Sequence, residues 1–278
     1  HVWSGGKWAW SRWRITDFSR DDYKKIIFEI LLRYNISLVH VRHLISHTFD
    51  APEIATSLNI PVILSFHDFY FVCPTVNLLD NSSTFCGGTC TSSEGTCNIP
   101  LDTNKKIKNL KHSWVKVWRK KVNHLFSYVD AFVTTSQNAK SIILKNYPTL
   151  ADKNFKIIEH GRDITQKNVD CTIPKGKKKI RILIPGHLDL HKGRDFVRDL
   201  INCDKMEKLE FFFMGRTSRD FQNLGKCLGE YKRKDFGEIA NKIKPSFIGI
   251  FSITCETYCH TITEAWGNGI PVLVSNIG

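Results

Sequence analysis

The sequence lacks a long apolar run and a recognisable signal peptide. None of its apolar stretches approaches the ~20 residues that a membrane-spanning helix needs, and the longest candidate, residues 26–32, is interrupted by Glu29. A hydrophobic fraction of 42% and a charged fraction of 24% predict a soluble globular protein. The sequence begins with His1 rather than Met and ends at Gly278, just past a predicted strand, so we expect a piece of a longer chain.

Regularly spaced cysteine pairs are also absent. Five of the nine cysteines are scattered, and nothing in the spacing indicates a secreted, disulfide-stapled fold. The other four lie in one loop rich in Gly, Ser and Thr: Cys73, Cys86, Cys90 and Cys97. Their spacing does not match a paired Cys-x2-Cys zinc site, although four thiols in one loop could close a tetrahedral, structural Zn²⁺ site. Reduced or oxidised thiols without a metal are the alternative.

Acidic residues are few relative to basic ones, and 27 Asp and Glu against 40 Lys and Arg give a net charge of +13. Such a charge fits three classes of partner: nucleic acid, an anionic membrane surface or a phosphorylated substrate. The sequence has no zinc-finger spacing, no RNA-binding aromatic signature and no basic region followed by heptads. We therefore expect a phosphate-rich substrate near an anionic membrane and no nucleic acid. A basic polyanion or nucleic-acid binder is kept as an alternative.

Short, strand-like apolar runs alternate with helix-like stretches along the chain. The runs are residues 37–41, 60–66, 128–135, 155–159, 179–185, 209–214, 247–251 and 270–274. This alternation predicts parallel sheets with helices on their faces, an α/β fold. Residues 166–178 contain Pro174, Gly176 and a run of Lys but no apolar period. They predict a linker between a domain over residues 1–165 and a second over residues 179–278.

A long basic helix is predicted over residues 104–126. The basic residues from Lys105 to Lys121 have no acidic residue among them. Opposite a core-facing stripe they would form a solvated face, and the alternative is a patch for anionic lipid head groups. Two other helices carry N-cap signals, at Ser19 and at Ser136.

Two carboxylates stand between the last two predicted strands. Glu256 follows the first of these strands, and Glu264 lies one to two turns into the helix between them. Parallel sheets bind ligands at the carboxyl ends of their strands and at helix N-termini, and helical side chains lean toward the N-terminus of their helix. Both carboxylates could therefore face one crevice. Thr261 and Glu264 also match a capping box, which would make Glu264 a structural cap instead.

Two earlier strand ends carry polar residues as well. His67 and Asp68 directly follow a buried strand, where they would face a crevice or bond the backbone of their own loop. Gly186 and His187 follow the first strand of the second domain, and Lys192 stands at the start of the next helix. A strand, a glycine turn and such a lysine favour phosphate binding, because backbone N–H groups and the helix dipole attract the anion.

These segments resemble retaining glycosyltransferases of the GT-B fold, particularly the large family 4 of nucleotide-sugar enzymes. In that family Glu-x7-Glu is followed by Ala, a small turn and Gly-Ile/Leu-Pro-Val. The residues that match in order are Glu256, Glu264, Ala265, Gly269, Pro271 and Val272. The family's His-Asp-aromatic-x-x-Cys-Pro segment is matched from His67 to Pro74, and Gly215 stands at a strand end where the family also has Gly. Lys192 matches the family's Gly-Arg…Lys-Gly segment, but His187 replaces the usual Arg, which would make phosphate binding weaker or pH-dependent.

The resemblance implies a GT-B architecture, with two Rossmann-like parallel-sheet domains facing a cleft. The N-terminal domain would form the acceptor side, and the C-terminal domain would bind the donor nucleotide sugar. Neither the first strand and turn of the N-terminal domain nor the final part of the C-terminal domain is visible in the sequence, so we expect an incomplete C-terminal domain.

The implied activity is transfer of a sugar from a nucleotide-diphosphate donor to a hydroxyl acceptor, with retention at the anomeric carbon. The catalytic candidates are Glu256, which would orient the donor sugar, and His67, which would lie near the reacting carbon. The residues implied in donor binding are Gly186, His187, Lys192, Gly215, Thr261 and Glu264, the last of them at the ribose. No metal or other cofactor is required, because protein cations stabilise the leaving phosphate.

The family's commonest setting is the assembly of bacterial surface polysaccharide or lipopolysaccharide. That setting predicts a glycan or lipid-linked acceptor, a cytoplasmic location and peripheral association with the inner face of the plasma membrane. The alternative is a non-catalytic GT-B-like module that binds glycan or nucleotide, or that serves in assembly.

Overall fold

A computed structural model of the chain describes residues 18–45, 47–80, 82–90, 96–97, 110–161, 163, 168–171, 173 and 178–277. The chain divides into two compact units, residues 1–159 and residues 160–278. Each unit contains a parallel sheet, which confirms the predicted α/β class. Within the described ranges, no helix has both the length and the apolar character needed to cross a membrane.

The first unit has a four-stranded parallel sheet in the order β1-β2-β5-β6. A separate antiparallel pair is formed by β3 and β4. The elements are α1 (Asp21–Arg33), β1 (Val39–Val41), α2 (Asp50–Ser57), β2 (Val62–Phe66), β3 (Thr96–Cys97), β4 (Leu110–Lys111), α3 (His112–Phe126), β5 (Ala131–Thr134), α4 (Gln137–Asn146) and β6 (Phe155–Ile157).

The core of the first unit is aromatic and surrounds the end of β2. Phe66, the last residue of that strand, stacks on Phe132 of β5 with ring centroids 6.0 Å apart. Its ring also meets the edges of Phe71 and Phe126. Each such buried ring stabilises the fold by about 1.5–3 kcal/mol relative to an exposed one. This packing fixes where the chain leaves the sheet, immediately before His67.

The second unit has a five-stranded parallel sheet in the order β11-β10-β7-β8-β9. Its elements are β7 (Ile180–Pro185), α5 (Arg194–Cys203), β8 (Leu209–Met214), β9 (Lys226–Gly229), α6 (Phe236–Ile243), β10 (Phe247–Ile250), α7 (His260–Gly267) and β11 (Val272–Val274). Strand β9 is exposed along its length and was not predicted, because its sequence lacks an apolar run.

Both faces of this second sheet are buried, as the apolar strand sequences require. Leu183 and Phe212 belong to a core with Phe236 of α6, whereas Ile184 and Phe213 belong to a separate core with α5. Successive strand residues point to opposite faces, so the apolar stretches at 182–184 and 211–214 fill both cores. This pattern is typical of a parallel sheet covered by helices on both sides.

Two of the predicted helix starts are wrong. The basic helix was predicted from residue 104, but Leu110 and Lys111 pair with 96–97 as a strand, so α3 begins at His112. Helix α1 is flanked by Arg20 rather than capped by Ser19, and its N-cap side chain makes no cap hydrogen bond. In both cases a contact with a distant segment overrides the local sequence signal. Residues 110–111 pair with residues 96–97, and Arg20 N–H donates to Asp50. The Ser136 cap is confirmed, since its hydroxyl accepts from Ala139 N–H.

The predicted linker at 166–178 is only partly within the described residues. Val169 is buried in the core of the second unit, and its N–H donates to the Asn268 carbonyl at 3.1 Å. This part of the segment is therefore attached to the second unit. The predicted domain limits otherwise stay a prediction.

Two glycines at neighbouring strand ends should differ in their tolerance of a side chain. Gly215 has φ +140°, and a Cβ there would lie 2.0 Å from the Gly186 carbonyl oxygen, whereas Gly186 has φ +91° and open space around it. We predict that Gly215→Ala lowers the free energy of unfolding by roughly 2–4 kcal/mol. Gly186→Ala is the matched control and should lower it by about 1–2 kcal/mol. Chemical denaturation monitored by circular dichroism measures both, and equal losses would contradict the steric argument.

Candidate functional site

Three neighbouring strands of the second unit end side by side. Strand β7 lies between β8 and β10 in the parallel sheet, so the carboxyl ends of all three meet at one edge. The segments that follow them begin with Gly186 and His187, with Gly215 and Arg216, and with the loop that carries Ser252. The sheet topology therefore gathers most of the predicted donor-binding residues.

Lys192 and Glu256 form an ion pair at this edge. The Lys192 ammonium donates to Glu256 Oε1 at 2.5 Å, and the Ser252 hydroxyl donates to the same oxygen at 2.6 Å. Both charged side chains are partly exposed, 39% for Lys192 and 23% for Glu256. A pair this exposed stabilises the fold by no more than about 1 kcal/mol. A ligand that binds either Lys192 or Glu256 can therefore break the ion pair with little loss of folding free energy.

The backbone brings this pair together through a close approach at Gly193. This residue has φ +80°, and a Cβ on it would lie 1.9 Å from the Phe251 carbonyl oxygen. Next to it, Ile253 N–H donates to the His191 carbonyl at 3.0 Å. The turn after β7 is thus packed against the loop after β10, which sets Lys192 beside Glu256.

Arg216 is a residue that sequence reasoning missed. Its guanidinium lies against the His187 ring, with Nη2 2.8 Å from Nε2, and its backbone N–H donates to His187 Nδ1 at 3.3 Å. It also pairs with Glu230 at 2.9 Å and stays largely exposed. Arg216 follows the strand next to β7, so the only available signal was its position one residue after a strand-ending glycine.

Glu264 is not part of a capping box. Helix α7 begins at His260 with Cys259 as its N-cap, so Thr261 lies inside the first turn and cannot be the cap. The Glu264 side chain is buried and pairs with Arg233 Nε at 2.8 Å. The capping interpretation is therefore wrong, and a cation supplied by another segment compensates the buried carboxylate.

The groups around Glu256 titrate abnormally. Burial lowers the pKa of His191, and the neighbouring Lys192 lowers it further, so this imidazole is neutral at pH 7. Burial and then the Glu256 charge raise the pKa of Cys255 to about 11 and also raise that of Cys259. Both thiols are consequently protonated at neutral pH and are poor nucleophiles.

In the first unit, the ends of β1 and β2 bring three side chains together. His43 Nε2 lies 3.0 Å from Asp68 Oδ2, and His67 Nε2 lies 3.6 Å from the same oxygen. Burial tends to raise the Asp68 pKa, but the hydrogen bond from His43, together with that from Tyr70 N–H, outweighs it and leaves the pKa lowered. Burial lowers the pKa of His67. His43 was not predicted, because its strand is only three residues long and it follows the strand after a one-residue gap.

Within the part of the chain that the structure describes, these three side chains form the one group spaced closely enough to hold a metal ion. One possible ligand atom of each lies within 4.8 Å of those of the other two. A metal-bound histidine normally donates a hydrogen bond through its other ring nitrogen. Here Ile45 N–H donates to His43 Nδ1 at 2.8 Å, so Nδ1 accepts and the proton of the neutral ring is on Nε2. This arrangement suits hydrogen bonding to Asp68 and opposes metal ligation by His43.

Structural zinc at the cysteines is not supported by the described side chains. Cys73, Cys86 and Cys90 do not form a group at metal-binding spacing, and the side chain of Cys97 lies outside the described part. Burial raises the pKa of the Cys73 and Cys86 thiols, which opposes the thiolate form that zinc needs. The Arg119 guanidinium lies 3.5 Å from Cys90 Sγ. Its positive charge would repel a zinc ion bound to that sulfur.

The basic face of α3 is smaller than predicted. Arg119 turns inward and donates to the carbonyls of Val72 and Gly88 at 3.0 and 2.7 Å. The exposed residues of the helix include Lys116, Val117, Lys120 and Lys121. The residues of the predicted patch at 105–109 lie outside the described part.

Comparison with known proteins gives a family and a fold. The family model described as Glycosyltransferase Family 4 matches residues 8–166. No curated protein matches the chain. Solved structures similar to it include Anabaena HepE in complex with UDP (14% identity, TM-score 0.56), sucrose-phosphate synthase from Thermosynechococcus elongatus (12%, 0.59) and the lipopolysaccharide outer core galactosyltransferase WaaB (14%, 0.54).

Each of these matches covers 92% of this chain. The chain spans 63% of the length of the HepE structure and 60% of the other two. At such identities the matches show the fold alone, and they confirm the predicted GT-B class with two Rossmann-like units.

The two partly buried histidines of these sites should make the fold sensitive to acid. The folded-state pKa values of His67 and His191 are lowered, so their contribution to stability is present above the unfolded pKa of about 6.5 and is lost as the pH falls below it. We predict that Tm falls between pH 7.5 and 5.5. His67→Gln and His191→Gln should each reduce this fall, whereas His124→Gln on the exposed face of α3 should not. An unchanged pH dependence in both site variants would refute the assignment.

Proposed function

Because the chain belongs to glycosyltransferase family 4, we propose that it transfers a sugar from a nucleotide-diphosphate donor to a hydroxyl acceptor, with retention at the anomeric carbon. The observation that carries this proposal is the cluster of Lys192, Glu256 and Ser252 beside Arg216 at three adjacent strand ends. One of the structures with a similar fold was solved in complex with UDP, which supports a nucleotide donor.

The donor diphosphate binds the cations at the ends of β7 and β8. Lys192 supplies a compact charge, and Arg216 supplies a guanidinium that can grip two phosphate oxygens at once. The His187 ring lies beside this guanidinium, with 2.8 Å between Arg216 Nη2 and His187 Nε2. Gly186 and Gly215 keep the backbone free of side chains where the phosphates approach.

Glu256 and Glu264 bind the hydroxyl groups of the donor. When the diphosphate draws Lys192 away, Glu256 becomes free to accept from the sugar, with Ser252 still fixing its orientation. Glu264 accepts from the ribose after Arg233, which is mostly exposed, swings out toward solvent. Thr261 lies half-buried in the first turn of α7 and completes the donor-binding set.

The transfer proceeds on the face of the sugar that the leaving group occupies. The bond between the anomeric carbon and the diphosphate oxygen breaks, and the acceptor oxygen bonds to that carbon. The acceptor proton passes to the leaving diphosphate. Lys192 and Arg216 stabilise the growing negative charge on the phosphate, an electrostatic effect typically worth a few kcal/mol per group. We assign to His67 a contact with the sugar or acceptor, as the family resemblance implies.

The acceptor is a glycan or a lipid-linked glycan in the assembly of surface polysaccharide. Support comes from the described part of α3, where Lys116, Lys120 and Lys121 surround the exposed Val117. Such a mixture of cations and apolar surface suits an anionic membrane, and it supports a location on the inner face of the plasma membrane. A structure of similar fold belongs to a lipopolysaccharide galactosyltransferase.

The donor-site assignment predicts loss of transfer in two variants. Lys192→Ala and Glu256→Ala should each lower kcat/KM by about 10²–10³, because each removes a charge that acts on the donor. Lys179→Ala is the matched control, since this exposed lysine pairs with Glu207 away from the site. Donor hydrolysis and transfer are measured with a panel of nucleotide sugars, after thermal melts show that each variant folds.

Full activity in both site variants would reject these residues as the donor site. If the wild type binds UDP saturably but turns over none of the donors, the result would favour a non-catalytic binding module over an enzyme. Binding of RNA that UDP-sugar cannot displace, steeply weakened by salt, would favour a polyanion binder.

A second prediction concerns the pair of His187 and Arg216. Arg216→Ala should raise the Kd for UDP about tenfold, because a charge-assisted contact to phosphate is lost. In this variant His187→Arg should restore most of the affinity, since a guanidinium then reaches the same place from the neighbouring strand. Arg219→Ala, an exposed arginine three residues away, is the control. Calorimetric titration decides, and a double variant no better than Arg216→Ala alone would show that Arg216 does not bind the phosphates.

A further inference from the structure

The proposed transfer leaves His43 and Asp68 without a role. Both lie beside His67 at the carboxyl ends of the adjacent strands β1 and β2. Their side chains are 21% and 25% exposed, and that of His67 is 32% exposed. The three groups are thus partly buried and still accessible to a ligand.

Each end of the Asp68 carboxylate is fixed by a different contact. Tyr70 N–H donates to Oδ1 at 2.8 Å, and His43 Nε2 lies 3.0 Å from Oδ2. The His43 ring is itself held, because Ile45 N–H donates to its Nδ1 and the Tyr70 ring packs against it with centroids 4.5 Å apart. Since Nδ1 accepts a hydrogen bond, Nε2 carries the proton and donates to Asp68.

The gap between Asp68 and His67 is wide enough for a hydroxyl oxygen to hydrogen-bond to both side chains. Asp68 Oδ2 and His67 Nε2 are 3.6 Å apart, which is longer than a normal hydrogen bond. A hydroxyl oxygen placed about 2.8 Å from both atoms closes a triangle of ordinary hydrogen bonds. The hydroxyl would donate to the carboxylate and accept from the imidazole, so both of its capacities would be used.

We propose that His43 is a positioning residue that fixes Asp68, and that Asp68 and His67 together bind one hydroxyl group of the sugar or acceptor. The identity of the hydroxyl-bearing ligand rests on the proposed function. The arrangement of His43, Asp68 and His67 does not. A carboxylate that donates nothing selects a hydroxyl over a phosphate or carboxylate, because it repels anions and accepts O–H donors.

Three variants separate the positioning role from simple packing. His43→Leu removes the donor to Asp68, whereas His43→Gln keeps an amide N–H where Nε2 was. Asp68→Asn removes the charge while keeping the size. His124→Leu on the surface of α3 is the control, and thermal melts establish that all four fold.

The first readout is independent of activity. Long-range ¹H–¹⁵N spectra of the labelled 278-residue chain report the tautomer of each histidine. We expect His43 with its proton on Nε2. His43→Leu and Asp68→Asn should shift the His67 ring signals, and His43→Gln should restore them. The proposal would be overturned if His43 carried its proton on Nδ1. It would also be overturned if the His67 ring signals were the same in all three variants as in the wild type. Stoichiometric Zn²⁺ binding that disappears in His43→Gln would overturn it as well, since it would make the group a metal site.

The second readout tests the ligand. With the donor that the wild type uses best, His43→Leu should lower kcat/KM by about tenfold and His43→Gln by less than about threefold. The Kd for UDP, which lacks the sugar, should be unchanged in both. Equal loss in His43→Leu and His43→Gln, or a weakened UDP affinity, would remove the hydroxyl site. If no donor is turned over, the proposed function fails while the spectra still decide the role of His43.

Discussion

The close approach of two backbone segments at Gly193 is the constraint on which the second unit's site depends. A side chain at this position would collide with Phe251, because a Cβ on residue 193 would lie 1.9 Å from the Phe251 carbonyl oxygen. Without a side chain there, the turn after β7 can lie on the loop after β10. Lys192 then reaches Glu256, although 64 residues separate them in sequence. The ion pair is a consequence of sheet order and one glycine, and not of any local motif.

The first unit uses the same principle with different chemistry. Strands β1 and β2 are adjacent and parallel, so the residues that follow them meet at one edge. There the meeting groups are two imidazoles and a carboxylate, of which burial leaves His67 with a lowered pKa. One unit thus presents cations suited to phosphate, and the other presents a carboxylate beside an imidazole, a combination suited to hydroxyls. The proposed transfer of a sugar from a nucleotide donor to a hydroxyl acceptor needs both chemistries.

Strand ends could be read from the sequence because apolar runs stop abruptly at polar residues. That signal placed His67, Lys192 and Glu256 correctly at the edges of their sheets. It could not reveal His43 or Arg216, because their importance comes from which strand lies beside which. The capping-box signal at Thr261 misled for the opposite reason. It is purely local, and the helix began two residues earlier with Glu264 paired to Arg233.

The carboxylates proposed to bind the donor hydroxyls are both occupied by cations in the unliganded chain. Glu256 holds Lys192, and Glu264 holds Arg233. These cations balance the charges of both carboxylates until the donor arrives. A nucleotide sugar can separate the pair at Glu256 because it carries both kinds of group, phosphate for Lys192 and hydroxyls for Glu256. A free sugar offers no anion to Lys192, and free phosphate is repelled by the charge of Glu256, so the ion pair itself favours ligands that contain both phosphate and hydroxyl groups.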